Sequence, residues 1–212
     1  TGGGLHYFTN FEEDLPPKTT LRNAFAHSIN LVYIRLMREI EYYYMGELGY
    51  DREAILASVT HPQRAALLDA AMDSEARTNL RRYYNRYRGQ TFEQALAALC
   101  GKEASGLRRL AMFAMADNPS ASAAEVVALG RRVYPVGIAL QDSLLRMYRR
   151  TYARKIHSDQ DEAYLMGRHP LEVWMVRDLR DHPADRWANV EKRSTEARLA
   201  SSKWIYPKRF KA

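Results

Sequence analysis

Helix start and stop signals recur along this 212-residue chain at spacings that suit helices. Thr91 with Gln94, and Ser122 with Glu125, match the capping-box pattern, in which two side chains satisfy free amide groups at a helix start. Pro62 is placed for a first helical turn, where its missing N–H is not needed, and Gln63 predicts a third capping box with Thr60. Alternation of apolar and polar residues with a period of two, which is typical of strands, is scarcely present. The sequence therefore predicts an all-α fold.

The predicted helices follow an irregular N-terminal segment. Residues 1–18 hold three glycines, an acidic triplet and two consecutive prolines, which predict loop structure. Beyond them, apolar spacing and breaks at Gly and Pro predict helical regions over residues 20–44, 60–88 with a break near Asp73, 91–100, 107–116, 122–134, 137–156, 170–181 and 185–202. We therefore expect an irregular multi-helix bundle of about eight or nine helices.

Composition limits the kinds of partner. With 46% hydrophobic and 27% charged residues, the chain has ordinary globular usage. Its longest nearly uninterrupted apolar run, Leu110 to Ala116, is far shorter than the roughly 20 residues that span a bilayer, so no membrane span is predicted. The net charge of +7 admits anionic partners such as nucleic acid, lipid headgroups or anionic polymers, without choosing among them.

The sequence offers little for a metal or cofactor site. Cys100 is the single cysteine, and its setting among Ala and Leu favours a small buried residue over a reactive thiol. His157, Asp159, Asp161 and Glu162 lack the glycine and the spacing of a calcium loop, and they favour a solvated helix start. No glycine-rich phosphate loop is present. We expect neither a metal ion nor a cofactor.

Two segments, residues 81–88 and 147–155, combine tyrosines with arginines on overlapping helix faces. Such faces can hold phosphates and stack bases. The same composition is typical of an amphipathic helix edge that packs on a core, because Tyr buries its ring and Arg lays its stem along the surface. One candidate function is therefore a non-enzymatic basic helical module that binds nucleic acid or a protein partner.

The triplet from Ser28 to Asn30 lies between two short amphipathic runs. A bare Ser-x-Asn arises about once in a chain of this length, so its context decides its meaning. A serine hydroxyl can accept and donate a proton in one step, and an asparagine amide offers both a donor and an acceptor to a peptide. Ser28 also suits a serine inside a helix that bonds back to a carbonyl.

The stretch from Thr20 to Arg38 resembles the second active-site motif of the penicillin-binding transpeptidases with its two flanking helices. Residues 5–11 resemble the lead into this motif in a proteobacterial group of class A penicillin-binding proteins, which pair a peptidoglycan glycosyltransferase with a transpeptidase. Residues 166–174 and 200–212 resemble later parts of a helical insertion in that group. The resemblance implies that residues 1–45 are a fragment of the transpeptidase domain and residues 46–212 an inserted helical subdomain.

By this resemblance, Ser28 would relay a proton during acylation or deacylation, and Asn30 would hydrogen-bond the bound peptide and help to place the catalytic lysine. The other motifs of the family are missing from the chain. No serine has Lys three residues later, and Lys18-Thr19-Thr20 lacks the glycine of a Lys-Thr-Gly motif. Without nucleophile, general base and oxyanion strand, covalent catalysis has no start. We expect the chain by itself to be inactive.

The resemblance also implies a setting. The parent enzyme would polymerise and cross-link peptidoglycan on the periplasmic side of the inner membrane, held there by an anchor outside this chain. Its partners would be peptidoglycan stem peptides and the lipid-linked precursor. The helical insertion would either dock a cell-wall protein or brace the transpeptidase domain.

Overall fold

The protein is described from a computed structural model, which covers residues 18–134 and 158–206. These residues form helices and no strand, so the all-α prediction is confirmed for the part of the chain described. The eleven helices are α1 (Leu21–Ala26), α2 (Asn30–Glu47), α3 (Arg52–Ala57), α4 (Pro62–Tyr87), α5 (Phe92–Cys100), α6 (Glu103–Asp117), α7 (Ala123–Val133), α8 (Asp159–Met166), α9 (Pro170–Asp181), α10 (Trp187–Arg193) and α11 (Thr195–Ile205).

The described residues contain more helices than the eight or nine expected, because two predicted helices are divided and two short helices were not predicted. A turn at Ser28 separates α1 from α2, and Ser194 separates α10 from α11. The unpredicted helices are α3 and α8. The predicted break near Asp73 is wrong, because α4 continues through that residue. The helix predicted over residues 137–156 lies outside the described residues.

Two of the three predicted capping boxes are present, whereas at the third the amide of Thr60 donates to Ser58 at 3.3 Å instead of to Gln63. The Thr91 hydroxyl accepts the amide of Gln94 at 3.3 Å, and the Gln94 side chain accepts the amide of Thr91 at 3.0 Å. The amide of Ser122 donates to Glu125 at 2.6 Å, and the amide of Glu125 donates to Ser122 at 3.2 Å. These bonds satisfy amide groups that have no partner inside the helix, so α5 and α7 begin where the local sequence indicates.

Among the described residues, the chain divides into two compact units, the first ending at Leu67 and the second beginning at Leu68. The division falls inside α4, whereas the resemblance predicted a domain boundary after residue 45, which stays a prediction. The buried apolar residues of the first unit are Ala24, Ile29 and Ile55. Its helices therefore bury few apolar side chains.

The second unit holds the main hydrophobic core, which α4, α5, α6, α8 and α9 share with parts of α7 and α10. Its largest fully buried side chains include Tyr87, Phe113, Leu80, Leu96, Leu99 and Leu110. A smaller cluster lies between α6 and α7, around Ala111, Met115 and Val126. Every helix of this unit from α4 to α10 contributes at least one buried apolar residue, as a helical bundle requires.

Arginine side chains satisfy the carbonyl ends of two helices. Arg168 Nε donates to the carbonyl of Leu99 at 2.6 Å, while Arg109 donates to the carbonyls of Cys100 at 2.9 Å and Met166 at 2.7 Å. Terminal carbonyls lack intrahelical partners and carry partial negative charge, so the partly buried guanidinium groups of these arginines suit them. These contacts fix the ends of α5 and α8 beside each other.

Further arginines pair with carboxylates of neighbouring helices. Arg193 makes a bidentate pair with Asp178, with both N···O distances at 2.9 Å. Arg198, only 3% exposed, donates to Asp73 at 2.8 Å and to the carbonyl of Glu191 at 2.7 Å. The planar guanidinium fits such paired acceptors, so these contacts set the spacing of α4, α9, α10 and α11.

Among the helices described, none is both long enough and apolar enough to cross a membrane.

Candidate functional site

Ser28 and Asn30 lie at the turn from α1 into α2. The amide of Ser28 donates to the carbonyl of Phe25 at 3.3 Å, and the amide of Ile29 donates to the carbonyl of Ala24 at 2.9 Å. Ile29 is buried and precedes Asn30, which is the first residue of α2. The two predicted residues are therefore held on either side of a buried anchor, at a point where the backbone changes direction.

Ser28 has an unusual backbone conformation. Its φ of 51° makes it the only non-glycine residue with a positive φ in the part of the chain described. For an L-residue this left-handed region costs roughly 1–2 kcal/mol, and such strain is found often at functional sites. Ser28 is not inside a helix, so the interpretation as a mid-helix serine bonded back to a carbonyl is wrong.

The side chains of Ser28 and Asn30 are exposed, and neither forms a hydrogen bond or ion pair with another described residue. The hydroxyl of Ser28 and the side-chain amide of Asn30 are thus available to a ligand. Each can both donate and accept a hydrogen bond. No described base contacts Ser28. The described residues of the turn can therefore bind and orient a ligand, but they do not include an activated nucleophile.

The first unit also carries an exposed apolar stripe along α2, which we call the α2 stripe. Its members recur at helical spacings of three and four and are 37% to 63% exposed: Leu36, Met37, Ile40, Tyr43 and Tyr44. No residue of α2 is buried. Contiguous exposed apolar surface of this kind is rare on monomeric proteins and is typical of a surface that packs against further protein.

The tyrosines of residues 81–88 are used mainly inside the second unit. Tyr83 and Tyr87 are buried, and the Tyr87 hydroxyl donates to Glu172 at 2.8 Å. Arg86 donates to the same carboxylate oxygen at 2.8 Å. Burial, together with the neighbouring Glu172, raises the pKa of Tyr87. These two rings are not available for stacking on bases, in keeping with a helix edge that packs on a core.

Tyr84, the remaining tyrosine of residues 81–88, is partly exposed. The guanidinium carbon of Arg81 lies 4.7 Å from the ring centroid of Trp187 and 5.9 Å from that of Tyr84, whose hydroxyl donates to the carbonyl of Asp185. These contacts pack α4 against the start of α10. The second segment, residues 147–155, lies outside the described residues.

A buried carboxylate, Glu162, was missed by sequence reasoning. The expected solvated helix start is wrong for this residue, which is 1% exposed, although Asp159 of the same turn is exposed. One oxygen of Glu162 accepts a hydrogen bond from Arg177 at 2.6 Å, and Oε1 has no hydrogen-bond partner among the described residues. Burial raises the pKa of Glu162 to about 7. The apolar neighbours Ala163 and Met166, which share its face of α8, were the signal available in the sequence.

The sequence-based prediction for Cys100 is confirmed. The side chain is fully buried, and burial raises the pKa of its thiol to about 12. A thiol this protonated at neutral pH is a poor nucleophile and a poor metal ligand.

Within residues 18–134 and 158–206, no three His, Cys, Asp or Glu side chains are grouped as a metal site would require. Comparison with known proteins identified no relative: no family model, no curated protein and no solved structure matches the chain.

Proposed function

We propose that this chain is part of a class A penicillin-binding protein and that the turn between α1 and α2 forms one wall of its transpeptidase site. One observation carries the proposal. The Ser-x-Asn triplet lies at the turn from α1 into α2, with Ser28 in a strained conformation and both polar side chains exposed and without a hydrogen bond to any other described residue. Strained, solvent-facing polar residues on a short helix-to-helix turn suit a ligand-binding role.

The α2 stripe supports the same proposal. A helix with no buried residue and five exposed apolar side chains gains stability when another protein surface covers it. In the proposed parent, the rest of the transpeptidase domain supplies that surface. The periplasmic setting and the action on stem peptides and lipid-linked precursor belong to this proposal as well.

In the assembled site, Ser28 and Asn30 have separate tasks. The hydroxyl of Ser28 accepts a proton from one neighbour and donates its own to another, so it relays a proton without a net change of charge. The amide of Asn30 donates to a peptide carbonyl and accepts a peptide N–H, which orients the stem peptide. Nucleophile, base and oxyanion donors come from parts of the parent outside this chain.

A fluorescent penicillin tests the proposal. The protein that contains this chain in full is expected to become covalently labelled, whereas the 212 residues by themselves are not. In the full protein, Ser28→Ala is expected to slow acylation or deacylation by about 10²–10⁴-fold, the usual contribution of a positioned proton relay. Ser58→Ala, at a serine also in the first unit, is the matched control and is expected to leave labelling unchanged.

The coding sequence around the chain is an independent check. A Ser-x-x-Lys motif before residue 1 and a Lys-Thr-Gly or Lys-Ser-Gly motif after residue 212 in the same reading frame are expected. If the complete gene holds neither motif, or if the isolated chain is labelled by penicillin, the proposal is wrong.

The second candidate function is binding of nucleic acid by α4. The specific observation is a group of exposed arginines, Arg81, Arg82 and Arg88, with Arg81 beside the partly exposed ring of Trp187. Binding to single-stranded RNA that weakens steeply with salt, and that is lost in Arg82→Ala with Arg88→Ala, would favour this function. Salt-insensitive or absent binding would exclude it.

A further inference from the structure

The second unit has an open groove of about 340 Å³ where α8, α9 and α11 meet. Its volume lies near the lower limit of the about 300–1,000 Å³ usual for small-molecule sites, so it suits one short segment of a ligand. The residues that the argument needs are Asp159, Gln160, Trp174, Arg193, Glu196 and Ala200. They come from four helices, and each helix contributes a different kind of surface.

The polar lining is mixed in charge. Asp159 and Glu196 present carboxylate acceptors, and Glu196 has no hydrogen bond or ion pair with any other described residue. Gln160 offers both a donor and an acceptor. Arg193 adds N–H groups, but its charge is already offset by Asp178 and Asp185. Asp159 is paired with Arg177 at 3.5 Å, so of the two carboxylates only Glu196 is without a partner among the described residues. An anionic ligand would meet both carboxylates, whereas a cationic ligand would find one unpaired carboxylate.

A neutral ligand rich in hydroxyl groups fits this lining better than either ion, because each hydroxyl both donates and accepts. Carboxylate, amide and guanidinium groups are planar, and each can bind two neighbouring hydroxyls of a sugar ring at once. The carboxylate uses two oxygens, the guanidinium two N–H groups, and the amide its oxygen and its NH2 group. The groove therefore offers complementary partners to several hydroxyls at once.

Trp174 supplies the apolar part of the groove. Its indole is half-buried, packing against the main core while also lining the groove. An indole of this kind combines a broad apolar face with one N–H donor. The C–H face of a sugar ring is apolar and flat enough to lie on an aromatic ring, and the small side chain of Ala200 leaves space beside it.

We propose that this groove binds a short segment of an oligosaccharide. The choice of a β-linked, N-acetylated glycan strand rests on the proposed function, in which the parent enzyme handles such a strand. In that case the second unit holds the glycan while the transpeptidase site acts on the attached peptides.

Protein NMR on the 212-residue chain tests the inference through its three tryptophan indoles. Titration with chitotetraose is expected to shift the Trp174 indole N–H saturably, with a Kd of about 1 mM, which is ordinary for a short sugar ligand. The indoles of Trp187 and Trp204, which do not line the groove, serve as internal controls and are expected to stay in place.

Gln160, which is half-buried, and Glu196, which is exposed, supply the matched variants. Gln160→Ala with Glu196→Ala is expected to weaken binding by about tenfold, equal to about 1.4 kcal/mol, without loss of fold. Gln63→Ala with Glu47→Ala removes the same residue types from exposed positions in the first unit and is expected to change nothing. Circular dichroism of both double variants confirms that the helices are intact.

Three outcomes would overturn the inference: no shift of Trp174, equal binding by the groove variant, or tighter binding of tetralysine than of the sugar. Equal binding of cellotetraose would overturn the assignment to an N-acetylated glycan. None of these results affects penicillin labelling of the full protein, so failure of the groove and failure of the proposed function are distinguishable.

Discussion

At the scale of single residues, Ser28 depends on a backbone conformation that its side chain does not favour. A β-branched side chain is excluded more strongly from positive φ than serine is. We expect Ser28→Val to destabilise the turn by about 1–2 kcal/mol, while Ser28→Gly keeps it or improves it slightly. Hydrogen exchange of the Ile29 amide, which donates to Ala24 across the turn, measures the change.

Ser74→Val is the control for this prediction, because Ser74 is exposed inside α4 with ordinary helical backbone. It is expected to leave exchange of the Ile29 amide unaltered. Equal exchange in Ser28→Val and the unmodified chain would contradict the strain at Ser28.

Glu162 links the stability of the second unit to pH. Its pKa is raised by burial from 4.5 to about 7, so the folded state binds a proton that the unfolded state releases between those values. The contribution of Glu162 is therefore full below about pH 4.5 and is lost as pH rises to about 7. The loss amounts to at most about 3 kcal/mol, at about 1.4 kcal/mol per unit.

Urea unfolding at about pH 5 and about pH 8 measures this dependence. Glu162→Gln keeps the shape and cannot ionise, so its stability is expected to fall less over the same interval. Glu47→Gln, at an exposed position, should behave as the unmodified chain does. A decline in the Glu162→Gln variant as steep as in the unmodified chain would show that another group is responsible.

At the scale of helices, two glycines within helices have opposite roles. A Cβ on Gly106 of α6 would lie 2.4 Å from the carbonyl oxygen of Gly101, which is backbone and cannot move aside easily. Gly46 of α2 has nothing within 4 Å of an added Cβ. We expect Gly106→Ala to destabilise by about 1–3 kcal/mol and Gly46→Ala to stabilise by about 0.5–1 kcal/mol.

Thermal unfolding followed by circular dichroism measures the loss of stability in one variant and the gain in the other. Each variant serves as the control for the other. A gain in stability from Gly106→Ala would mean that α5 and α6 approach less closely than the structure has them.

The helices also separate what is encoded locally from what is not. The starts of α5 and α7 were predictable because a capping box uses side chains three residues apart. The end of α5 at Cys100 was predictable as well, from Gly101. The arginines that bind the last carbonyls of α5 and α8 were not, because Arg168 is 69 residues from Leu99 and Arg109 is 57 residues from Met166. Likewise, the sequence did not show that Asp73, within α4, pairs with Arg198, because the two residues lie 125 positions apart.

At the scale of the whole molecule, the described second unit contains both hydrophobic clusters. The chain from Thr60 to residue 212 keeps all of α4 and every buried residue of those clusters. We expect it to fold and to unfold cooperatively in urea with helical circular dichroism, because no described residue before Thr60 belongs to either cluster. Non-cooperative unfolding, or loss of helix in this shortened chain, would contradict the division into units.

The sequence by itself determined the all-α class, the starts of α5 and α7, the burial of Cys100 and the candidate pair Ser28 and Asn30, since these depend on residues close together in the chain. Only the tertiary structure decided that Glu162 is buried beside Arg177, that Tyr83 and Tyr87 belong to the core, and that Trp174 meets Glu196 across a groove. The physical reason is distance along the chain. Caps and breaks act within one helical turn, whereas burial and charge pairing depend on which helices meet.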